Sequence, residues 1–211
     1  LSFWESISRL LWSREDRLGT VVALPYTFTN IYCSDDGYMY GTTTTETPPQ
    51  VRKINIGGSD ILYGSYDFRD NSIMSYSSYN QVFCDVTVDR YNNMLIVDRM
   101  YGRVYEYDER GNNLFAFGTR GTGYGQLSYP VSIETDHRGR VYVLNKTTGN
   151  ITVYTPTEFA DLVHEANQLY SQGKYEESKQ IWEQVIEKSN YYTLALVNIG
   201  NILMREEEND A

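Results

Sequence analysis

The stretch "VTVDRYNNMLIVDRMYGRVYEYDERGNNLFAFG", residues 86–118, decides the fold because it contains four strand signals in succession. "VTV", "MLIVD", "RVYEY" and "LFAFG" are rich in β-branched and aromatic residues, and "DRYNN" and "DERGN" between them are rich in turn-forming Asp, Asn and Gly. Strands separated by such short turns pair with their neighbours in the chain. The stretch therefore predicts a four-stranded antiparallel sheet.

The same pattern recurs 47 residues later without a gap, in "SIETDHRGRVYVLNKTTGNITVY", residues 132–154. The equivalent pairs include Asp89 and Asp136, Asp98 and Asn145, Gly102 and Gly149, and Tyr107 and Tyr154. A weaker copy lies upstream in "TNIYCSDDGYMYGTTTTETPPQVRKINI", residues 29–56. A repeat of about 40 to 50 residues with several strands in each unit is typical of the blades of a β-propeller.

After Tyr154 the hydrophobic period changes from 2 to 3.6, which indicates helices. Pro156 ends the last strand, Thr157 is a suitable N-cap, and Glu158 begins an acidic first turn. Two apolar strips are joined by "QGK", and a third strip starts near Tyr192 with Leu196, Ile199, Gly200 and Leu203 on its apolar face. The three strips predict a helical hairpin followed by half of another. The last blade copy accordingly has no fourth strand.

The predicted fold is mainly β with an α-helical C-terminal region, a partial β-propeller of about three blades followed by a helical hairpin. Residues 1–18 form an amphipathic helix or linker in this interpretation. Residues 19–156 form the blades, with boundaries near 25–80, 81–127 and 128–156, and residues 157–211 form the helices.

The blade sequences resemble the NHL-repeat family of β-propellers, on the residues quoted above. The helical region resembles the tetratricopeptide repeat, on the pattern A-x-x-L-Y-x-x-G-x-Y-x-x-S-x-x-x-W that starts at Ala166. That second resemblance implies packing roles for Leu169, Tyr170, Gly173, Tyr175 and Trp182. The combination is similar to Gram-positive bacterial proteins with a secreted propeller and tetratricopeptide helices. It implies an extracytoplasmic location at the cell surface, and a chain that is the C-terminal part of a longer protein.

The charge of the chain restricts its partners. With 28 acidic and 18 basic residues the formal net charge is −10, and no cluster of Lys and Arg is visible. Phosphate backbones and anionic lipid headgroups would be repelled, so no nucleic-acid partner is expected. No apolar run is long enough to span a membrane. The acidic helical region favours a basic or neutral protein partner.

Several polar residues were candidates for chemistry but are expected to be structural. Asp89 and Asp136 begin turns, where short carboxylates accept backbone hydrogen bonds. Asp98 and Asn145 end strands, where a buried polar side chain bonds backbone N–H groups; the alternative for Asp98 is a carboxylate that faces a central channel. His137 in a turn and His164 on a helix lack a second ligand at metal-binding spacing, so no transition-metal site is expected at either. His137 is expected to be a solvated turn residue and His164 a polar helix residue. No metal and no cofactor are predicted, and Cys33 and Cys84 are expected to be buried, unpaired thiols.

Two loops supply the candidate binding residues. "GTRGTGYGQ", residues 118–126, is predicted to be a mobile crossover between blades that offers Arg120 and Tyr124 to solvent. The Tyr-rich segment that contains Tyr76 and Tyr79 offers rings that could stack on sugars or peptides. The alternative for that segment is a plain loop packed over the edge of a sheet.

These features together predict a non-catalytic binding scaffold. Propeller loops and a helical groove would recognise a protein or peptide, or a carbohydrate, because repeat folds satisfy their backbones internally and leave the side chains at the rims free. The alternative is a propeller enzyme of the lactonase or lyase type with a metal ion on the axis. That enzyme requires ligands that converge from several blades.

Overall fold

A computed structural model describes residues 27–43, 51–62 and 81–210 of the chain, with side chains to residue 206. Three antiparallel sheets are followed by three helices. The predicted helix within residues 1–18, and the candidates Tyr76 and Tyr79, lie outside the described residues.

Within each sheet the strands pair in the order in which they occur in the chain. Sheet 1 contains β1 Phe28–Cys33, β2 Met39–Thr43 and β3 Val51–Ile54. Sheet 2 contains β4 Phe83–Val88, β5 Met94–Asp98, β6 Arg103–Tyr107 and β7 Asn113–Phe117. Sheet 3 contains β8 Pro130–Thr135, β9 Val141–Asn145 and β10 Asn150–Tyr154. The helices are α1 Glu158–Ser171, α2 Tyr175–Lys188 and α3 Thr193–Asp210.

The first strands of successive sheets contact one another, β1 with β4 and β4 with β8. Sheets that follow one another with their first strands side by side have the arrangement of propeller blades. The prediction of a mainly β chain with a helical C-terminal region is therefore confirmed, and the three sheets fit a partial β-propeller.

Sheet 2 is buried on both faces. Alternate residues of its strands, Val86 and Ile96 among them, pack in one cluster with sheet 1. The intervening residues, such as Leu95 and Val97, pack in a second cluster with Ile133 and other residues of sheet 3. Because successive side chains of a strand point to opposite faces, two covered faces require a nearly continuous apolar run. Every residue of β4 and β5 is accordingly buried.

Five turns in the described part of the chain share one hydrogen-bond pattern. The backbone N–H of the first residue donates to the carbonyl of the fifth, and the N–H of the fourth donates to the carbonyl of the first. These turns begin at Ser34, Asn55, Asp89, Asp108 and Asp136. The fourth residue has positive φ in each, and it is Gly in four turns and Asn92, with φ of 62°, in the fifth. This is the pattern of a short hairpin loop that closes through a left-handed residue.

In sheets 2 and 3, the side chain of the last residue of the second strand accepts hydrogen bonds from the segment that precedes the first strand. Oδ1 of Asp98 accepts hydrogen bonds from the N–H groups of Val82 at 3.1 Å and Met100 at 2.8 Å. Oδ1 of Asn145 accepts one from the N–H of Ser128 at 2.9 Å. Asp98 is fully buried, and burial raises the pKa of its carboxyl. Both side chains therefore hold the segment that leads into the first strand against the end of the second.

The helices begin three residues after β10, where the other blade copies continue in a turn. Thr157 is the N-cap of α1, as predicted, and its Oγ1 accepts a hydrogen bond from the N–H of Ala160 at 3.2 Å. Trp182 and Val185 of α2 are fully buried in a cluster that also contains Leu114 of β7. Residues of α1 and α3 complete this cluster, namely Val163, Ala166, Ala195 and Ile202. The helical region thus has its own core, and that core extends onto sheet 2.

The turn between α1 and α2 contains Gly173, whose φ is 77°. The rings of Tyr170 and Tyr175 pack edge to face across it at 5.2 Å, and Leu169 is half-buried. The third helix departs from its expected packing, because Leu196 and Leu203 were expected on the buried face and are 52% and 43% exposed. None of the described helices combines the length and the apolar character that a membrane crossing requires.

Gly102 and Gly149 occupy equivalent positions and give a matched test of the packing between sheets 2 and 3. Both have positive φ, at 61° and 64°. A Cβ at Gly102 would lie 2.7 Å from Cα of Arg120, whereas a Cβ at Gly149 would have no atom within 4 Å. We expect Gly102→Ala to lower the free energy of unfolding by roughly 3 kcal/mol. Alanine is strained at this positive φ, and its Cβ would overlap the backbone of Arg120. Gly149→Ala has the strain alone and should lose about 1 kcal/mol. Urea denaturation followed by circular dichroism measures both, and equal losses would contradict the assigned packing.

The two thiols should differ in reactivity, because the expectation that both are buried is wrong for Cys33. Cys33 is exposed, whereas Cys84 is 4% exposed and burial raises its pKa to about 11. At pH 8 a thiol with that pKa is thiolate in roughly one molecule in a thousand, and the thiolate is the reactive form. A thiol-specific reagent at pH 8 should therefore modify one thiol in the folded chain and two in denaturant. Rapid modification of both thiols in the folded state would contradict the burial of Cys84.

Candidate functional site

A cleft of about 300 Å³ lies where sheet 2, the end of sheet 3 and helix α1 meet. Most of its wall is apolar. The lining residues are Glu106, Phe115, Ala116, Phe117, Gly139, Val141, Tyr154, Thr155, Pro156, Thr157, Phe159, Ala160 and His164. A concave apolar surface with a few convergent polar groups is the usual form of a ligand site.

Contacts between the helical region and β7 hold the cleft in shape. The rings of Phe115 and Phe159 meet edge to face at 6.3 Å. The hydroxyl of Tyr192 donates a hydrogen bond to the carbonyl oxygen of Leu114 at 3.0 Å. Tyr192 also stacks on Trp182, with 6.3 Å between the ring centroids. The contact between Tyr192 and β7 is therefore continuous with the core of the helical hairpin. The part of the cleft wall formed by α1 is therefore held in place by packing against β7 and against the neighbouring helices.

Glu106 and His164 both line the cleft, and they form a pair. Nε2 of His164 lies 2.6 Å from Oε1 of Glu106, and the residues are 8% and 5% exposed. The amide of Asn93 donates to the same Oε1 at 3.0 Å and to Oδ2 of Asp89 at 3.2 Å. The ring of Tyr91 covers His164 at 4.9 Å between centroids. This buried pair thus joins α1 to β6 at the wall of the cleft.

Burial and neighbouring charges shift the pKa values of this cluster. Burial raises the pKa of Asp89 to about 6, and the negative charge of Glu106 adds to the effect. Burial by itself would lower the pKa of His164, but the hydrogen bond and charge of Glu106 outweigh it, so the pKa lies above its usual value. Strongly perturbed groups beside a cleft are typical of functional sites.

The expectation that the helix residue His164 lacks metal-binding neighbours is wrong. Ligand atoms of His164, Glu106 and Asp89 all lie within 4.8 Å of one another. The sequence pattern missed this because "RVYEY" contains no second ligand near Glu106 and does not show which element covers its face of the strand. The helix α1 covers that position, and three residues spread over the sequence meet there. The one sequence feature that could have indicated burial of His164 is its position next to the apolar strip of α1.

The candidate Arg120 lies at a different cavity, of about 570 Å³, at the opposite ends of the strands of sheet 2. Arg99 also lines it and donates a hydrogen bond from Nη1 to the hydroxyl of Tyr129 at 3.1 Å. The candidate Tyr124 is fully exposed and does not line this cavity. Both residues are exposed to solvent, as expected for the glycine-rich loop, and of the two Arg120 lines the cavity.

Removal of His164 should be far more costly than removal of His137, because an unpaired Glu106 would remain buried beside Asp89. Loss of one partner of a buried ion pair typically costs about 3 kcal/mol or more, and a change at an exposed site stays within about 0.5 kcal/mol. His137 is exposed in the turn that begins at Asp136. We expect His164→Leu to lower the urea midpoint strongly and His137→Leu to leave it unchanged. Similar midpoints for both variants would contradict a structural pair at the cleft.

No protein-family model and no curated protein matches the chain. Among solved structures, virginiamycin B lyase from Staphylococcus aureus aligns with 62% of the chain and 41% of its own length, at 14% identity and a TM-score of 0.38. A protein of unknown function from Bacteroides caccae aligns with 64% of the chain and 48% of its own length, at 14% identity and a TM-score of 0.39. A streptogramin B lyase aligns with 65% of the chain and 43% of its own length, at 13% identity and a TM-score of 0.37. The chain thus spans less than half of each of these structures, and the similarities carry no conclusion about its ligand or activity.

Proposed function

We propose that the protein is a non-catalytic binding module whose cleft accepts a large apolar side chain of a partner polypeptide. The observation that carries this proposal is the cleft itself, about 300 Å³ in volume and lined by Phe115, Phe117, Val141 and Phe159. Anchoring side chains of protein interfaces commonly insert into such apolar pockets. The volume is at the lower end of the range for small-molecule sites, which suits one side chain better than an extended cofactor.

The polar groups of the cleft determine which anchors fit best. The Glu106 and His164 pair lies among apolar lining residues, and it gives one polar contact point in an otherwise apolar wall. The formal net charge of −10 favours a partner with basic or neutral residues next to the anchor. An apolar anchor flanked by basic residues is therefore the preferred ligand.

The hydroxyl groups of the cleft are mostly engaged in structural hydrogen bonds. Tyr154 donates from its hydroxyl to the carbonyl oxygen of Gly125 at 2.9 Å, and Thr157 caps α1. The described lining residues include neither Ser nor Cys nor Lys. A serine, cysteine or lysine nucleophile activated by a neighbouring base is therefore not among these residues. This favours binding over catalysis.

A propeller enzyme is the second candidate, and the close pair of Glu106 and His164 is the observation that favours it. A carboxylate and an imidazole in contact could act as a general base. The enzyme expected from the sequence, however, holds a metal on the axis with ligands from several blades. In the described part of the chain, the cluster suited to a metal comes from sheet 2 and α1 alone. Binding is therefore the primary proposal.

The finer assignments belong to the same proposal. NHL-type blades and a tetratricopeptide-type hairpin would make the module part of an extracytoplasmic scaffold, and the cavity with Arg120 would be a second recognition surface on it. The packing of α1 on α2 through Ser178 supports the hairpin, since its hydroxyl donates to the carbonyl oxygen of Ala166 at 2.7 Å inside the interface.

The variant Ala160→Phe tests the proposal by filling the cleft. N-acetyl-phenylalaninamide, titrated into ¹⁵N-labelled protein, should shift amide signals from residues 115–117 and 154–160. The shifts should disappear in Ala160→Phe, because the new ring occupies the same volume. Gln168→Phe adds the same ring to an exposed site on α1 outside the cleft and should leave the shifts unchanged. N-acetyl-asparaginamide serves as the polar control. An unshifted wild-type spectrum, or equal shifts in Ala160→Phe, would count against the cleft as the binding site.

A further inference from the structure

Asp89 differs from the other aspartates that begin turns. Oδ2 of Asp108 is paired with Nη2 of Arg110 at 3.1 Å. Oδ2 of Asp136 is paired with Nη2 of Arg140 at 2.6 Å. In the turn that begins at Asp89, the corresponding third and fifth residues are Tyr and Asn, and neither carries a charge. A guanidinium therefore pairs with the aspartate in two of these turns, whereas Arg90 in the turn at Asp89 donates to the hydroxyl of Tyr91 and the carbonyl oxygen of His137.

All three aspartates nevertheless do the same structural work. Oδ1 of Asp89 accepts hydrogen bonds from the N–H groups of Tyr91 and Asn93, both at 2.8 Å. Oδ1 of Asp136 accepts equivalent bonds from Arg138 and Arg140 at 2.9 and 3.0 Å. Turn closure thus uses Oδ1 and leaves Oδ2 for a second partner. At Asp89, Oδ2 accepts the neutral amide of Asn93 at 3.2 Å and faces a cluster with a second carboxylate.

We propose that Asp89, Glu106 and His164 bind a divalent transition-metal ion of the Zn²⁺ class. The three side chains supply two carboxylate oxygens and one imidazole nitrogen, all within 4.8 Å of one another. Ligand bonds of roughly 2.0–2.2 Å place the ligand atoms of one ion about 3–4 Å apart, so side-chain movements below about 1 Å complete the site. On binding, the ion displaces the proton held between His164 and Glu106, and it supplies beside Asp89 the positive charge that arginine supplies at the other two turns.

The ligand set discriminates between metal ions. Imidazole suits Zn²⁺ and its transition-metal neighbours, whereas Ca²⁺ requires six to eight oxygen ligands. Three protein ligands leave at least one coordination position for water or another donor. Glu106 and His164 line the cleft, so that position would open toward it.

The residues around the cluster hold its three side chains in place. The amide of Asn93 donates to both carboxylates and so fixes their relative orientation. The ring of Tyr91 and the edge-on ring of Phe115, 5.6 Å from His164, confine the imidazole. A bound ion would therefore join sheet 2 to α1 with little rearrangement. This inference is independent of the proposed function, since an ion in this position serves a binding module and an enzyme equally.

The variant Asp89→Asn tests the site without disrupting the turn. Asn55 begins an equivalent turn and accepts the same two backbone hydrogen bonds through Oδ1, at 3.0 and 2.9 Å, so asparagine is compatible with this position. Asp136→Asn is the matched control, because it makes the same change in the equivalent turn of sheet 3. Both variants are made in a tag-free Cys33→Ser background, which removes the exposed thiol as a competing Zn²⁺ ligand. The proteins are treated with EDTA, dialysed, and titrated with Zn²⁺ and with Ca²⁺ by calorimetry, and their melting temperatures are measured with and without metal.

We expect the parent and Asp136→Asn to bind one equivalent of Zn²⁺ and to melt at a higher temperature with it. Asp89→Asn should bind at least tenfold more weakly while it retains the circular dichroism spectrum of the parent. Absence of stoichiometric Zn²⁺ binding by the folded parent would overturn the proposal, and so would equal affinity in Asp89→Asn. Calcium binding as tight as Zn²⁺ binding would overturn the assignment to a transition metal.

Discussion

The burial of sheet 2 on both of its faces is the constraint on which the rest of the structure depends. Apolar side chains point alternately toward sheet 1 and sheet 3, and both faces of β4 and β5 are buried from water. At roughly 25 cal/mol per Å² of apolar surface, such a sheet is stable only between two neighbours. The helices cover β7 in the same way, because Leu114 packs in the core of the helical hairpin. The cleft exists because α1 covers the end of this sheet without filling the angle between sheets 2 and 3.

Local sequence signals predicted the sheets well because each of them depends on neighbouring residues. Alternation in β4 and β8, the turn chemistry after them, and the N-cap at Thr157 all act within a few residues, and the described strands follow the quoted repeat. The exposure of Cys33 was missed, since alternation shows which residues share a face but not whether another element covers that face. The exposed Leu196 and Leu203 of α3 were missed for the same reason.

The site was harder to predict than the fold because its residues meet only in three dimensions. Asp89, Glu106 and His164 come from a turn, a strand and a helix that are far apart in the chain. Each has an ordinary local explanation, and the composition of each segment is unremarkable. The informative signal lies in a comparison of repeats, because the third or fifth residue is an arginine paired with the aspartate in two equivalent turns and is Tyr91 or Asn93 in the turn at Asp89. A position at which one copy of an internal repeat differs from the others can therefore indicate a site as a motif does.

The direct junction between β10 and α1 has a mechanical consequence. Thr155, Pro156 and Thr157 connect an edge strand to a helix, and all three also line the cleft. The proline ring restricts one backbone torsion of this connection, and the cap hydrogen bond of Thr157 anchors its far end. So short and stiff a connector transmits displacement instead of absorbing it. A tilt of α1 should therefore displace β10, the outermost strand of sheet 3 in the described part of the chain.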